Sequence, residues 1–254
     1  MPDPRKVLIL GGTGEARRLA ALAVEAFGAD AITTSLAGVT KAPAPVAGRV
    51  RTGGFGGAEG LALHLKAEGY GALVDATHPF AATISAHAAE AAAVTATPRL
   101  AVVRPPWPKQ PGDQWIEVGG FTEARFALDG RERHVFLAIG RKELEHFRDL
   151  WGFRFLVRLV EAPDTVLTVN DYRVVVGRGP FAVEDEIELM QCERVTTLVA
   201  KASGGEAGYA KIAAARALGV TVVMVRRPPP PAGPTVATPE QAITWLRRLF
   251  EARR

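Results

Sequence analysis

The sequence predicts an α/β protein of two domains, each a parallel sheet with helices over both faces. Three observations carry this. Short apolar runs alternate with alanine-rich helical stretches, the strand-to-helix turns are rich in glycine, and a proline-dense segment cuts the alternating series in two. With 254 residues, 48% of them hydrophobic, the chain has the length and apolar content for two packed domains.

The elements follow in order. "KVLIL" reads as the first strand and Gly14 to Phe27 as its helix, followed by the strand "AITTSLA" and a helix through "GAEGLALHLKAEGY". "ALVDATH" reads as the third strand, "AATISAHAAEAAAVT" as the third helix and "PRLAVVR" as the fourth strand, a β-α-β-α-β-α-β series. "RPPWPKQPGDQW", Arg104 to Trp115, then holds four prolines and a glycine, which neither a helix nor a central strand tolerates. The first domain is therefore expected at residues 1–104, the linker at 105–116 and the second domain at 117–254, with a cleft between the domains. The second series runs through "HVFLAIGRKELEHFRDL", "RFLVRLV", "YRVVVGRGPF", a helix from Val183 to Glu193, "TTLVAKASGGEAGYAKIAAARALG" and "VTVVMVRRP". After "RRPPPPAGP", an amphipathic helix from Pro239 to Arg254 ends the second domain.

No apolar run reaches the roughly 18 to 20 residues of a membrane span, and the apolar part of "MPDPRKVLIL" is too short for a signal peptide. A cytoplasmic protein is expected. The single Cys192 leaves no internal disulfide and no cysteine-based metal site, and reads as a packed side chain. A formal charge of +4, from 31 Lys+Arg against 27 Asp+Glu, favours an anionic ligand. Aromatic residues at 7%, without basic and aromatic residues interleaved, disfavour nucleic acid.

Gly11, Gly12, Thr13 and Gly14 follow the first strand, and Glu15 and Ala16 open the helix. The dinucleotide spacing G-x-G-x-x-G counted from Gly12 fails at Arg17, whereas Gly11 starts the related G-x-x-G-x-A. Such a turn lets backbone approach a pyrophosphate at a helix N-terminus; the alternative is a structural tight turn. Arg17 then requires the helix to stand off the sheet or its own side chain to point away. At the end of the second strand an NAD site carries Asp or Glu, but Thr34, Ser35 and Leu36 stand here and Asp30 lies at the other end. Without that carboxylate, a 2′-phosphate is accepted by Ser35 with Lys41, Arg49 or Arg51, and a dinucleotide site here is one for NADP(H). "RTGGFGGAEG" has five glycines in ten residues, including Gly53 and Gly54, and reads as a loop close to a ligand or as a flexible insert.

"DATHPFA" closes the third strand with Asp75, Thr77 and His78, where His78 serves as a proton donor or as a helix cap. His87 reads as packing, and His64, His134 and His146 show no metal-ligand spacing. Lys201, Ser203, Gly204 and Gly205 form a second strand–glycine–helix turn suited to an anion, without the order of a nucleoside triphosphatase loop. "GRK" at 140–142 and "GRGPF" at 177–181 add basic residues at other strand ends.

Taken together, "ILGGTGEARRLA", "GRVRTGGFGG", "DATHPFA", "GRGPF", "KASGG" and the late "RRP" resemble the precorrin-6A reductases of cobalamin biosynthesis, the CobK/CbiJ family, over nearly the whole chain. The resemblance implies two Rossmann-like domains and NADPH-dependent reduction of one carbon–carbon double bond of precorrin-6A to precorrin-6B, with no metal and no flavin. It implies that Gly11 to Ala16 receive the cofactor phosphates, that Ser35 with Arg49 or Arg51 receives the 2′-phosphate, and that Gly53 and Gly54 lie beside them. Asp75, Thr77 and His78 would sit near the nicotinamide, while Lys201, Ser203, Gly204 and Gly205 line the cleft from the second domain. The partner implied is the tetrapyrrole substrate, with contact to other enzymes of the pathway allowed, for a monomer or a homodimer. Two other classes share the glycine turns: a non-catalytic nucleotide- or anion-binding sensor, and an S-adenosylmethionine-dependent methyltransferase, whose ligand has no phosphate to fill them.

Overall fold

In the computed structural model, which describes residues 5–38, 44–128, 134–230 and 232–253, the chain forms two compact units. Unit one comprises Met1–Pro105 and Pro228–Arg254, and unit two comprises Pro106–Arg227. Unit one contains β1 (Val7–Leu10), α1 (Gly14–Phe27), β2 (Ile32–Leu36), β3 (Arg49–Thr52), α2 (Ala58–Glu68), β4 (Ala72–Asp75), α3 (Ala82–Thr95) and β5 (Arg99–Val102). Unit two follows with β6 (Trp115–Val118), α4 (Phe121–Phe126), β7 (His134–Ala138), β8 (Arg154–Leu159), β9 (Tyr172–Val176), α5 (Val183–Cys192), β10 (Thr197–Lys201), α6 (Ala210–Leu218) and β11 (Thr221–Val225). The chain then returns to unit one with β12 (Thr235–Val236) and α7 (Pro239–Glu251).

Both sheets are six-stranded and parallel, in the orders β12-β5-β4-β1-β2-β3 and β6-β11-β10-β7-β8-β9. In unit one the sheet is covered on both faces, so β1, β4 and β5 are buried at every position, as apolar runs without polar alternation require. Val7, Ile9 and Val74 pack against α1 and α7, whereas Leu8, Leu10 and Leu73 pack against α2 and α3. In unit two Phe136, Leu198 and Met224 pack against Met190 of α5 and Ile212 and Ala215 of α6.

Two expectations are corrected. The terminal helix was expected in the second domain; Ala242, Ile243, Leu246 and Phe250 instead form one apolar stripe on the core of unit one, with Phe250 edge-on to Phe27 at 5.4 Å. Thr238 and Gln241 cap its start reciprocally. The stretch before "GGFGG" is an edge strand, β3, whose two arginines leave it largely exposed; an edge strand has one neighbour and needs no apolar run. Arg17 is exposed, while Ala16, Leu19, Ala20 and Ala23 make the buried face of α1, so the side chain points away.

Candidate active site

In the first sheet the strand order reverses between β4 and β1, and ligands of open parallel sheets bind at the carboxyl ends beside such a reversal. The glycine turn after β1 and the "DATH" segment after β4 meet there. Thr13 Oγ1 donates to Ala76 O at 2.8 Å and accepts from Ala16 N at 3.0 Å, so its hydroxyl joins the two segments and caps α1. Gly11 is needed for packing, since a Cβ there would lie 2.7 Å from Thr34 Cγ2. Gly12 has φ +110°, and a Cβ on it would meet nothing within 4 Å. Space therefore stands open over the turn, and the amides of Gly12, Thr13 and Gly14 have no partner among the described residues. A pyrophosphate fits such a cradle.

Glu15, in the first helical turn, does not face a phosphate unopposed. Both its carboxylate oxygens accept from Arg104 Nη1, at 2.8 and 2.7 Å. Burial would raise its pKa, but the hydrogen bond and charge of Arg104 outweigh that and hold the carboxyl below the ordinary glutamate range.

At the end of β2, Ser35 is buried and in register with Arg51 on β3. Arg51 Nη1 donates to Ser35 Oγ at 3.3 Å and to Gly53 O at 2.6 Å, and Nη2 donates to Gly54 O at 2.7 Å. The guanidinium lies 3.9 Å from the Phe55 ring centroid. A short ladder continues from it, Phe55 to His64 at 5.3 Å and His64 to Tyr70 at 5.6 Å. Burial first, then the charge of Arg51, holds His64 below the usual histidine pKa, against the pull of Glu68. Arg49 is not part of this group. It starts β3 at the amino edge of the sheet, where Nη2 binds Asp30 at 2.8 Å beside a depression of about 380 Å³. Lys41 lies outside the described residues.

Asp75 is buried and its Oδ1 accepts from Thr77 N at 3.1 Å and Thr77 Oγ1 at 2.7 Å, which orients the threonine toward Ser85 Oγ at 3.3 Å. His78 Nδ1 accepts from Phe80 N at 3.2 Å, which assigns the proton of the neutral ring to Nε2.

In unit two, Lys201 ends β10 and its Nζ donates to Glu143 Oε1 at 2.7 Å, 5.5 Å from the Phe121 ring. Ser203 is buried, its amide donating to Lys201 O at 2.6 Å, and Gly204 and Gly205 follow with φ +66° and +76°. Gly205 O accepts from Trp107 Nε1 at 2.7 Å, so the proline-rich segment anchors this loop. Arg104, Trp107, Glu143 and Ser85 are absent from the sequence-based candidates. The arginine at a strand end before two prolines and the tryptophan among prolines were legible signals for two of them; Glu143 and Ser85 carry none.

The family model described as precorrin-6x reductase CbiJ/CobK matches residues 6–247. The chain is 45% identical to "Precorrin-6A reductase" of Rhodococcus erythropolis, over 96% of this chain and 98% of that one. It is 43% identical to the protein of that name from Mycobacterium tuberculosis, over 96% and 98%, and 29% identical to "Cobalt-precorrin-6A reductase" of Priestia megaterium, over 94% and 97%. A solved structure of "CobK precorrin-6A reductase" superposes with a TM-score of 0.90 at 42% identity, covering 96% of both chains. With the family model spanning nearly the whole chain and a relative 45% identical over 96% of it, this chain belongs to the precorrin-6x reductases, the CbiJ/CobK family.

Proposed function

We propose that this protein reduces one carbon–carbon double bond of precorrin-6A with NADPH, giving precorrin-6B. The observation that carries the cofactor choice is the pairing of Ser35 with Arg51 where an NAD site holds a carboxylate. Three hydrogens of the Arg51 guanidinium are engaged in the bonds above, which leaves donors for a phosphate. The metal-free macrocycle is supported by identity: 43–46% to the relatives named for precorrin-6A against 29–31% to those named for its cobalt form. A cytoplasmic location goes with this reading, and among the described residues no helix is long and apolar enough to cross a membrane.

When bound, the nicotinamide supplies a hydride to a ring carbon made electrophilic by conjugation, and a proton goes to the neighbouring carbon. The chain's share is placement and exclusion of water. Gly12 and Gly14 admit the pyrophosphate, Thr13 ties that turn to the segment after β4, and Asp75 fixes Thr77 beside it. Glu15 is neutralised by Arg104, so it does not repel the phosphates. His78, holding its proton on Nε2, is the group we place nearest the nicotinamide. His78→Ala is expected to lower kcat about a hundredfold with NADPH affinity unchanged; activity near wild type would remove His78 as the proton donor. Equal catalytic efficiency with NADH and NADPH would overturn the cofactor choice.

A further inference from the structure

The loop after β3 sets one side chain, Phe55, among four glycines. A Cβ on Gly53, Gly54, Gly56 or Gly57 would meet nothing within 4 Å, so these positions offer bare backbone to open space. Phe55 is turned to the protein instead. Its half-buried ring packs on the core cluster that holds Leu8, Leu10, Leu61 and Leu65. Its carbonyl is pressed on the first turn of α2, where a Cβ on Gly60 would lie 1.8 Å from the oxygen. The ring is thus held in place, and the Arg51 guanidinium lies over it, 3.9 Å from the centroid.

Arg51 needs such a support. Nη1 donates to Ser35 Oγ and Gly53 O and Nη2 to Gly54 O, and two of these three acceptors belong to the glycine loop itself. Among the described residues this leaves Nε–H and one hydrogen of Nη2, two donors that can grip a phosphate as a fork. Anchors on a glycine backbone hold the fork only as well as the loop is held. The ring beneath fixes the plane of the guanidinium and occupies none of its hydrogens. A side chain already fixed in this way gives up less rotamer freedom when its ligand arrives.

Phe55 is backed in turn by other rings. His64 lies 5.3 Å from it and Tyr70 lies 5.6 Å from His64, with the Lys6 ammonium 5.5 Å from the Tyr70 ring. His64 Nε2 is buried without a hydrogen-bond partner among the described residues, so the imidazole packs here as a ring. The row therefore reads cation, three rings, cation, from the end of β3 to the residue before β1.

Resting on the choice of NADPH made above, we propose that Phe55 is a positioning residue for cofactor selection, whose ring face holds the Arg51 guanidinium ready for the 2′-phosphate. A role confined to packing would weaken both cofactors alike. Fixing the plane of Arg51 touches only the cofactor that carries the 2′-phosphate.

The test uses the full-length wild type, Phe55→Leu, Phe55→Met and Phe55→Tyr, with NADPH and NADH each titrated by fluorescence and kcat and KM measured with each. Leucine and methionine keep the apolar bulk without the ring face, and tyrosine keeps the face. Phe55→Leu and Phe55→Met are expected to weaken NADPH binding about fivefold or more and to raise its KM to match, with kcat unchanged and NADH within about twofold. Phe55→Tyr is expected to hold NADPH within about twofold of the wild type. Phe126→Leu, at an exposed phenylalanine of α4, is expected to change neither cofactor. NADH binding also reports whether the turn after β1 is intact in each variant, and either of the two variants without the ring suffices if the other does not fold. A wild-type preference for NADPH in a folded Phe55→Leu or Phe55→Met would overturn this proposal alone. So would an equal loss for NADH, a Phe55→Tyr as weak as Phe55→Leu, or failure of both variants without the ring to fold, which assigns Phe55 to the core. A wild type that binds NADH as tightly as NADPH would overturn the cofactor choice and this proposal with it.

Discussion

At the scale of single residues, the cofactor choice turns on a pair the sequence offered in several versions. Ser35 was legible because an NAD site demands a carboxylate there and none stands near it. Arg49 and Arg51 were indistinguishable in sequence, since which one shares a sheet edge with Ser35 depends on the register of an edge strand. The register places Arg51 opposite Ser35 and Arg49 at the other edge with Asp30. Arg51→Ala is therefore expected to raise the KM for NADPH by about tenfold or more and to leave that for NADH nearly unchanged, whereas Arg49→Ala changes neither; steady-state kinetics with both cofactors checks this. His64 gives a pH signature. Burial, Arg51 and Lys6 lower its pKa against Glu68, so as pH falls the unfolded chain takes the proton first. The neutral form's contribution is present above about pH 6.5 and is lost as pH falls toward the lower folded value. Urea midpoints of His64→Gln should accordingly fall less between about pH 7.5 and 5.5 than those of the wild type.

At the scale of elements, glycine loops and helices were legible, but their docking partners were not. The loop between β3 and α2 is pressed against its own helix: a Cβ on Gly60 would lie 1.8 Å from Phe55 O. Gly60→Ala must displace the carbonyl that follows the Arg51 anchors, and is expected to weaken NADPH binding with little change in NADH turnover, measured by fluorescence titration and kinetics. The terminal helix illustrates the limit of pattern reading. Its apolar stripe says that it packs, not on which sheet, and the strand that carries it back to unit one has only two residues. Phe250, buried against Phe27, fixes the answer. Phe250→Ala is expected to cost about 3–5 kcal/mol in unit one, read as a lower denaturant midpoint that NADPH partly restores.

At the scale of the whole molecule, two parallel sheets followed from alternating strands and helices, because a sheet buried on both faces writes itself as continuous apolar runs. The exchange of closing strands was not legible. Strand neighbours that are far apart in sequence leave no local pattern, and prolines before β6 and before β12 signal a break without its destination. The matching strand orders of the two sheets place a glycine turn after the central strand of each, with open space over Gly12 and the Lys201 ammonium near Gly140. The central claim is transfer of hydride from NADPH to a carbon of precorrin-6A on this chain. It is tested most directly by anaerobic turnover with NADPH deuterated at both C4 positions, followed by mass spectrometry of the macrocycle. The account predicts one deuterium per product molecule and one NADPH consumed for each; product without deuterium, or no consumption of NADPH, would contradict it.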